Sequence, residues 1–124
     1  MPLNVREYSF SNLTINIDNQ FLNINDKKIK LREKDVDVLI FLLDNVNTVV
    51  SRNEILCAVW KHNLHPTNDL LNSAISRLKK ELKHIPNITV ETVYGSGYKL
   101  NVKEEKYATK KRYRLSFIIY LINI

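Results

Sequence analysis

The first thirty residues alternate between polar and apolar positions, and three short polar stretches interrupt the alternation. Apolar side chains recur at every second position over most of residues 8–31, and turn-forming residues lie at 11–12, 18–19 and 25–27. A period of two is typical of strands with one buried face, and polar breaks mark the turns between them. The pattern therefore predicts an antiparallel sheet of three or four short strands.

The apolar spacing then changes to three or four residues, which predicts helices. The first helix covers about residues 33–45, because Val36, Leu39 and Leu43 form one apolar stripe. The second helix begins after Ser51 and ends near residue 61. Ser51 and Glu54 have the spacing of a capping box, in which each residue binds the backbone of the other.

A third helix is predicted over residues 70–83, after capping residue types at 67–69. Its apolar positions share one face and are Leu71, Ile75, Leu78 and Leu82, with Ala74 beside them. The opposite face carries small, polar or charged side chains, which are Asp69, Ser73, Ser76 and Lys80, flanked by Asn72, Arg77 and Lys83. One face is therefore suited to a core and the other to contact with water or a ligand.

Residues 88–102 predict a β-hairpin, because two alternating runs flank a turn that contains both glycines of the chain. These are Gly95 and Gly97, on either side of Ser96. A sheet, three helices and a hairpin in this order predict an α+β fold. The specific expectation is a winged helix-turn-helix with an N-terminal antiparallel sheet, three helices and a C-terminal β-hairpin wing.

The two halves of the chain differ in charge. Residues 1–60 contain 7 Lys and Arg against 8 Asp and Glu, whereas residues 61–124 contain 12 against 5. Positive charge confined to one half favours a polyanionic surface, either nucleic acid or acidic lipid, and the plain alternative is a protein that is merely basic. Cys57 is the single cysteine, which fits a reducing cytoplasm, and the first residues do not have the pattern of a secretory signal.

The polar face of the third helix has the chemistry of major-groove recognition. Arg77 is suited to guanine and Asn72 to adenine, each through a pair of hydrogen bonds. Ser73 and Ser76 are able to bind bases or phosphates. The lysines of this helix are better suited to phosphate, and they are Lys79, Lys80 and Lys83. A solvated helix face that binds nothing is the alternative.

The hairpin adds a second set of candidate contacts. The Gly-Ser-Gly turn at 95–97 is able to pass close to a sugar-phosphate backbone because no large side chain projects from it. Tyr94 and Tyr98 offer hydroxyl groups to phosphate, and Lys99 adds positive charge. The alternative is an ordinary hairpin that needs glycine for positive φ angles, and both interpretations are compatible.

Five segments, in this order and spacing, resemble the OmpR/PhoB-type C-terminal effector domain of bacterial transcriptional regulators. They are LRE at 31–33, VSRNEIL at 50–56, VW at 59–60, AISRLKKEL at 74–82 and TVYGSGYKL at 92–100. With the predicted strands before residue 31, the resemblance covers roughly residues 5–102. It implies a sequence-specific DNA-binding regulator that places residues 70–83 in the major groove and uses the hairpin 88–102 as a wing.

Within that family the chain is similar to the ToxR/CadC branch, whose members are anchored in the membrane behind an N-terminal winged helix. The resemblance implies that Trp60 and Tyr98 contact phosphates. It also implies that the loop 61–68 contacts RNA polymerase. Two departures are that Ser76 stands where many relatives have an arginine, and that Asp69 stands where relatives often carry a positive residue.

We expect a winged-helix domain over residues 1–102, a basic linker over 103–114 and an apolar tail over 115–124. A helix of ten residues spans about 15 Å, about half of a bilayer core. The tail is therefore either part of a truncated membrane span or a segment that lies on a membrane or on the domain. Basic residues before the tail favour a cytoplasmic location at the inner face of the inner membrane, with membrane contact through 106–124. The sparse charge on the third helix also favours a homodimer.

No cofactor, metal site or enzymatic centre is predicted. Cys57, His62 and His65 are metal-ligand types, but Cys57 lies inside an amphipathic helix and no fourth ligand is near. The sequence contains no Gly-rich phosphate loop and no nucleophile elbow. RNA binding is disfavoured because no exposed aromatic pair has the spacing used on RNA-binding sheets. The alternative to reading DNA is a protein-interaction winged helix that modulates a partner regulator.

Overall fold

A computed structural model describes residues 5–10, 13–103 and 112–115. Its strands are β1 (Val5–Phe10), β2 (Leu13–Asp18), β3 (Phe21–Ile24), β4 (Lys27–Lys30), β5 (Ile88–Val93), β6 (Gly97–Val102) and β7 (Arg112–Leu115). Its helices are α1 (Glu33–Asp44), α2 (Arg52–Val59) and α3 (Asn68–Leu82). The chain divides into two compact units, one with residues 1–32 and 104–124 and the other with residues 33–103.

The described part of the first unit is an antiparallel sheet with the strand order β4-β3-β2-β1-β7. In the pairing of β2 with β3, Ile15 lies opposite Ile24 and Ile17 opposite Leu22. All four side chains are at most 1% exposed. The alternation along the sequence thus marks the buried positions, and the four N-terminal strands that it predicts are confirmed.

The turns of this sheet explain the polar breaks in the sequence. Positive φ angles of 57°, 48° and 68° occur at Asn19, Asn25 and Asp26. Asn and Asp adopt left-handed backbone more readily than other non-glycine residues, because their short polar side chains hydrogen-bond locally. The Asn25 side chain also accepts a hydrogen bond from the Thr14 amide of β2 at 3.3 Å, which ties this turn to the neighbouring strand. The polar residues therefore set the chain reversals that bring the short strands together.

The strand β7 lies where the sequence analysis predicted the end of a linker over residues 103–114 and the start of a tail over residues 115–124, and the sequence analysis did not predict it. Residues 112–115 pair antiparallel with β1, with Arg6 opposite Leu115 and Ser9 opposite Arg112. The basic composition of this segment hides its short polar-apolar alternation, and its pairing partner lies at the other end of the chain. The rest of the predicted linker and tail, residues 104–111 and 116–124, lies outside the described residues. No helix in the described part is long and apolar enough to span a membrane.

In the second unit, the predicted apolar face of α3 is confirmed. The buried residues of this helix are Leu71, Ala74, Ile75, Leu78 and Leu82. The helix begins at Asn68 rather than at the predicted residue 70. Thr67 occupies the N-cap position without a side-chain cap hydrogen bond. The first turn is instead held by Arg52 of α2, which donates to the Asn68 side chain at 3.2 Å. A contact from another helix therefore supports the first turn of α3, where the N-cap side chain makes no hydrogen bond.

The predicted capping box at the start of α2 is also confirmed. The Ser51 hydroxyl accepts a hydrogen bond from the Glu54 amide at 3.0 Å, and the Glu54 carboxylate accepts one from the Ser51 amide at 2.8 Å. The bond from the Ser51 backbone, followed by the one from its side chain, lowers the pKa of Glu54. This pair sets the first turn of α2 and with it the position of Arg52.

The loop before α2 runs alongside β6 and forms a short bridge with it. The Val50 amide donates to the Tyr98 carbonyl at 2.8 Å, and the Tyr98 amide donates to the Val50 carbonyl at 2.9 Å. Gly97 has a φ of 145°, and a Cβ atom at this position would lie 2.0 Å from the Val50 carbonyl oxygen. Gly97 is therefore required by a close approach within the protein. Gly95 has a φ of 81° and no atom within 4 Å of such a Cβ.

We expect Gly97→Ala to destabilise the protein far more than Gly95→Ala. The first change combines backbone strain with a clash against fixed backbone, for which we expect a loss of about 3 kcal/mol or more in the free energy of unfolding. The second change adds only the strain of a positive φ, about 1 to 2 kcal/mol. Denaturant unfolding of both variants and the parent measures the difference. Equal losses would contradict the close approach at Val50.

Candidate nucleic-acid interface

A groove separates α3 from the hairpin formed by β5 and β6. Residues of α2 and α3 line one wall, and they include Arg52, Asn53, Asn68, Asn72, Ser76 and Lys79. The other wall comes from the hairpin and includes Thr92, Tyr94, Gly95, Ser96 and Tyr98. The groove thus brings predicted contacts on α3 together with predicted contacts on the wing. It also contains residues that the sequence analysis did not select.

Arg52 is the most connected of these additional residues. Its guanidinium donates to the Asn72 side-chain oxygen at 2.6 Å and to the Tyr98 hydroxyl. It also lies over the Tyr98 ring, 5.3 Å from the ring centroid. One side chain therefore links α2, α3 and β6. The sequence does contain a signal for Arg52. A positive side chain in the first turn of a helix is unfavourable beside the helix dipole, so its presence there indicates another role.

Tyr98 and Trp60 are mostly enclosed by the protein. Tyr98 is 4% exposed, and its hydroxyl donates to the Asn72 side-chain oxygen at 3.3 Å. Trp60 is 8% exposed and ends α2, where its amide donates to the Leu56 carbonyl at 2.9 Å. Both side chains have packing roles in the protein alone. The phosphate contacts that the resemblance implies for them stay predictions.

Arg77 is held by an acidic side chain of α1. Its Nε and Nη2 atoms donate to the two carboxylate oxygens of Asp35 at 2.7 and 2.9 Å. The Asp35 side chain is 2% exposed and that of Arg77 is 34% exposed. The hydrogen bond to Asp35 raises the pKa of Arg77. This paired contact fixes α3 against α1, and the guanine contact predicted for Arg77 competes with it.

The remaining predicted contacts fall into two groups. Two residues face the groove or the wing in the protein itself: Lys79 donates to the Thr92 hydroxyl at 2.8 Å, and Lys99 is half-buried in β6. The others are exposed, and they are Ser73, Ser76 and Lys80 on α3, Lys83 at its C-cap, and Tyr94, Gly95 and Ser96 at the hairpin turn. Tyr94 is 92% exposed. The exposed surface of α3 and the hairpin turn therefore offers hydroxyl groups, amines and glycine backbone.

The metal-ligand residue types lie apart from this groove. Cys57, His62 and His65 are exposed, and none of them is among the residues that line it. Within the described residues, no group of three or more His, Cys, Asp or Glu side chains converges in a way that would hold a metal ion. The chemistry of the groove is that of hydrogen-bond donors and positive charge.

Residues 26–100 match the protein family described as "Transcriptional regulatory protein, C terminal". The chain belongs to this family. It is 34% identical over 90 residues to the transcriptional regulatory protein VxrB of Vibrio cholerae, a match that covers 73% of this chain and 36% of VxrB. It is 29% identical over 97 residues to the response regulator SaeR of Staphylococcus aureus, covering 77% of this chain and 42% of SaeR. The matched regions thus span less than half the length of these relatives.

Solved structures agree with this assignment. The DNA-binding domain of E. coli CadC has a TM-score of 0.68 at 25% identity, covering 83% of this chain and 94% of that one. The Klebsiella pneumoniae RstA DNA-binding domain in complex with the RstA box has a TM-score of 0.62 at 25% identity, covering 77% and 96%. The predicted α+β winged helix-turn-helix and the predicted family are confirmed. The similarity to CadC agrees with the branch that the sequence suggested.

We expect Arg77→Ala to destabilise the domain, because it leaves the buried Asp35 carboxylate without its partner. Breaking a buried ion pair costs about 3 to 5 kcal/mol, and the partial exposure of Arg77 places our expectation at about 2 to 3 kcal/mol. Lys80→Ala on the same helix is the control and should change stability by less than about 0.5 kcal/mol. Thermal or denaturant unfolding measures both. An Arg77→Ala variant as stable as Lys80→Ala would contradict the structural role of this pair.

Proposed function

We propose that this domain binds double-stranded DNA in a sequence-specific manner, with α3 in the major groove and the hairpin over residues 88–102 as a wing. The observation that carries the proposal is the exposed face of α3. Ser73 and Ser76 are small enough to let the helix approach base edges, and Lys80 and Lys83 lie toward its C-terminal end. The B-DNA major groove is about 12 Å wide and admits one helix of this kind.

The charge distribution and the family support the same proposal. The second half of the chain carries the positive charge, and α3 ends with several lysines. Lysines at such positions neutralise phosphates and release counterions, which makes binding depend on salt. The RstA domain, which is similar to this chain, was solved in complex with its DNA site. The proposed role is transcriptional regulation by binding, without enzymatic activity, and a DNA-bound regulator is expected in the cytoplasm.

Salt-dependent DNA binding tests this function. We expect Lys80→Ala combined with Lys83→Ala to weaken binding to all duplexes and to lower the slope of log K against log salt by about 2, about 1 for each phosphate contact. The matched control is Lys27→Ala with Lys28→Ala, which removes two exposed charges of β4, outside the groove. Fluorescence anisotropy with labelled duplexes at several salt concentrations measures both.

The result that would overturn the proposal is a wild-type chain that does not bind duplex DNA at low salt. If the two double variants had equal slopes of log K against log salt, α3 would not be part of the interface, although the chain would still bind DNA. Absence of binding, together with capture of a partner regulator, would favour the alternative of a protein-interaction winged helix.

We also propose that the loop over residues 61–68 contacts RNA polymerase. Leu64 in this loop is 90% exposed, and an apolar side chain so exposed is suited to a protein partner. Leu64→Ser should leave DNA affinity unchanged and reduce transcription in a reconstituted assay. Unchanged transcription would count against this contact.

A homodimer on DNA and membrane contact through residues 106–124 are further proposals, which rest on the family resemblance and on the sequence of the tail.

A further inference from the structure

The side-chain amide of Asn72 is held in one orientation. Its oxygen accepts a hydrogen bond from Arg52 at 2.6 Å and another from the Tyr98 hydroxyl at 3.3 Å. An amide oxygen has two lone pairs, so both of its acceptor sites are used. The Asn72 nitrogen has no partner among the described residues, and the residue is exposed on α3. Asn72 therefore offers the groove a donor and no acceptor.

The groups that hold this amide are themselves fixed. Arg52 lies in the capped first turn of α2 and also donates to the Asn68 side chain at 3.2 Å. Tyr98 is 4% exposed and is bridged through its backbone to Val50. Rotating the Asn72 amide by half a turn would point its nitrogen at the Arg52 guanidinium, which only donates, and would take one acceptor from Arg52 and the acceptor of the Tyr98 hydroxyl. An unsatisfied polar group of this kind costs about 1 to 3 kcal/mol, so one orientation is strongly favoured.

This orientation changes what Asn72 is able to read. An asparagine pairs with adenine by accepting from the N6 amino group while donating to N7, which requires a free side-chain oxygen. In this chain that oxygen is occupied by Arg52 and Tyr98. A lone donor instead suits any base with a major-groove acceptor, which guanine offers at N7 and O6, adenine at N7 and thymine at O4. Cytosine presents only its N4 amino group there, and a donor facing an amino group gains no hydrogen bond.

We propose that Asn72 is a specificity-determining residue that disfavours cytosine and does not distinguish adenine from guanine, because Arg52 and Tyr98 occupy its side-chain oxygen. The proposal rests on the function proposed above. It replaces the paired contact with adenine N6 and N7 that residue type alone suggests. The base preference thus depends on Arg52 of α2 and Tyr98 of β6, which orient the Asn72 side chain.

Selection from a randomised duplex library tests this proposal with the full chain. Sequencing of the bound pool from the wild type gives the preferred site, and Asn72→Ala identifies the position that depends on this residue as the one that loses its preference. We expect cytosine to be depleted there in the wild type, with adenine and guanine both accepted. In the Arg52→Met, Tyr98→Phe double variant the amide oxygen is free to accept from adenine N6 as well, and adenine should gain at least about fivefold relative to guanine and thymine.

Two further variants serve as a control and as a graded version of this test. Lys79→Met removes a positive charge from the same groove without touching Asn72, so it should weaken binding and leave the selected base unchanged. Tyr98→Phe alone removes one of the two donors, keeps the ring, and should move the preference in the same direction by a smaller factor. Circular dichroism and unfolding curves establish that each variant is folded. If the double variant does not fold, Tyr98→Phe carries the test.

The outcomes separate this inference from the proposed function. A wild-type chain that enriches no sequence would overturn both. Cytosine at the position that depends on Asn72, or a wild-type preference for adenine over guanine there, would overturn the inference and leave DNA binding intact. The same conclusion would follow if Asn72→Ala changed no position, or if the folded variants of Arg52 and Tyr98 kept the wild-type preference. A shift toward adenine only in those variants would support it.

Discussion

The close approach of β6 to the backbone at Val50 is the constraint on which the groove depends. Gly97 allows it, because any side chain there would meet the Val50 carbonyl oxygen. The two backbone hydrogen bonds between Val50 and Tyr98 then hold the start of β6 against the loop before α2. This places the Tyr98 hydroxyl beside Arg52 and Asn72. A backbone contact thus decides how these three groove side chains are oriented.

The polar residues of α3 are divided between internal and external tasks. Arg77 neutralises the buried carboxylate of Asp35 and joins α3 to α1. Asn72 completes the network of Arg52 and Tyr98. Ser73 and Ser76 remain for an external partner, together with the lysines near the end of the helix. The long side chains that would be strongest in base recognition are therefore engaged within the protein. In the proposed DNA complex, sequence recognition would rest on short side chains, of which Asn72 is oriented in advance by Arg52 and Tyr98, and this lowers the entropy lost on binding.

The sheet of the first unit illustrates a different constraint. A strand at the edge of a sheet exposes unpaired backbone groups that invite pairing with other chains. Here β7 covers one edge of β1, and β4 at the other edge carries three lysines. Lys28 lies over the ring of Phe21 at 4.6 Å from its centroid, so it shields an apolar side chain and keeps its charge in water. The β4 edge is thereby made less suited to strand pairing, and the pairing with β7 removes β1 from the edge of the sheet.

Local patterns in the sequence determined the elements of this protein. The alternation around Ile15 and Ile17 encodes a half-buried strand, the four-residue spacing from Leu71 encodes a buried helix face, and Ser51 with Glu54 encodes a helix start. Each of these signals works between residues that are neighbours in the chain, because the backbone period alone decides which side chains share a face. The fold class and the family followed from them, and so did the surface of α3 that faces outward.

The partners of the long polar side chains were decided only by the tertiary structure. Arg77 and Asp35 are 42 residues apart, and Arg52 and Tyr98 are 46 apart. Nothing in the residue types distinguishes an arginine that reads guanine from one that pairs with a buried carboxylate, since the same donors serve both. The pairing of β7 with β1 and the requirement for glycine at position 97 were likewise decided only by the tertiary structure. Periodicity determines which residues are buried, whereas hydrogen-bond partners depend on which distant elements the packed core brings within about 3 Å.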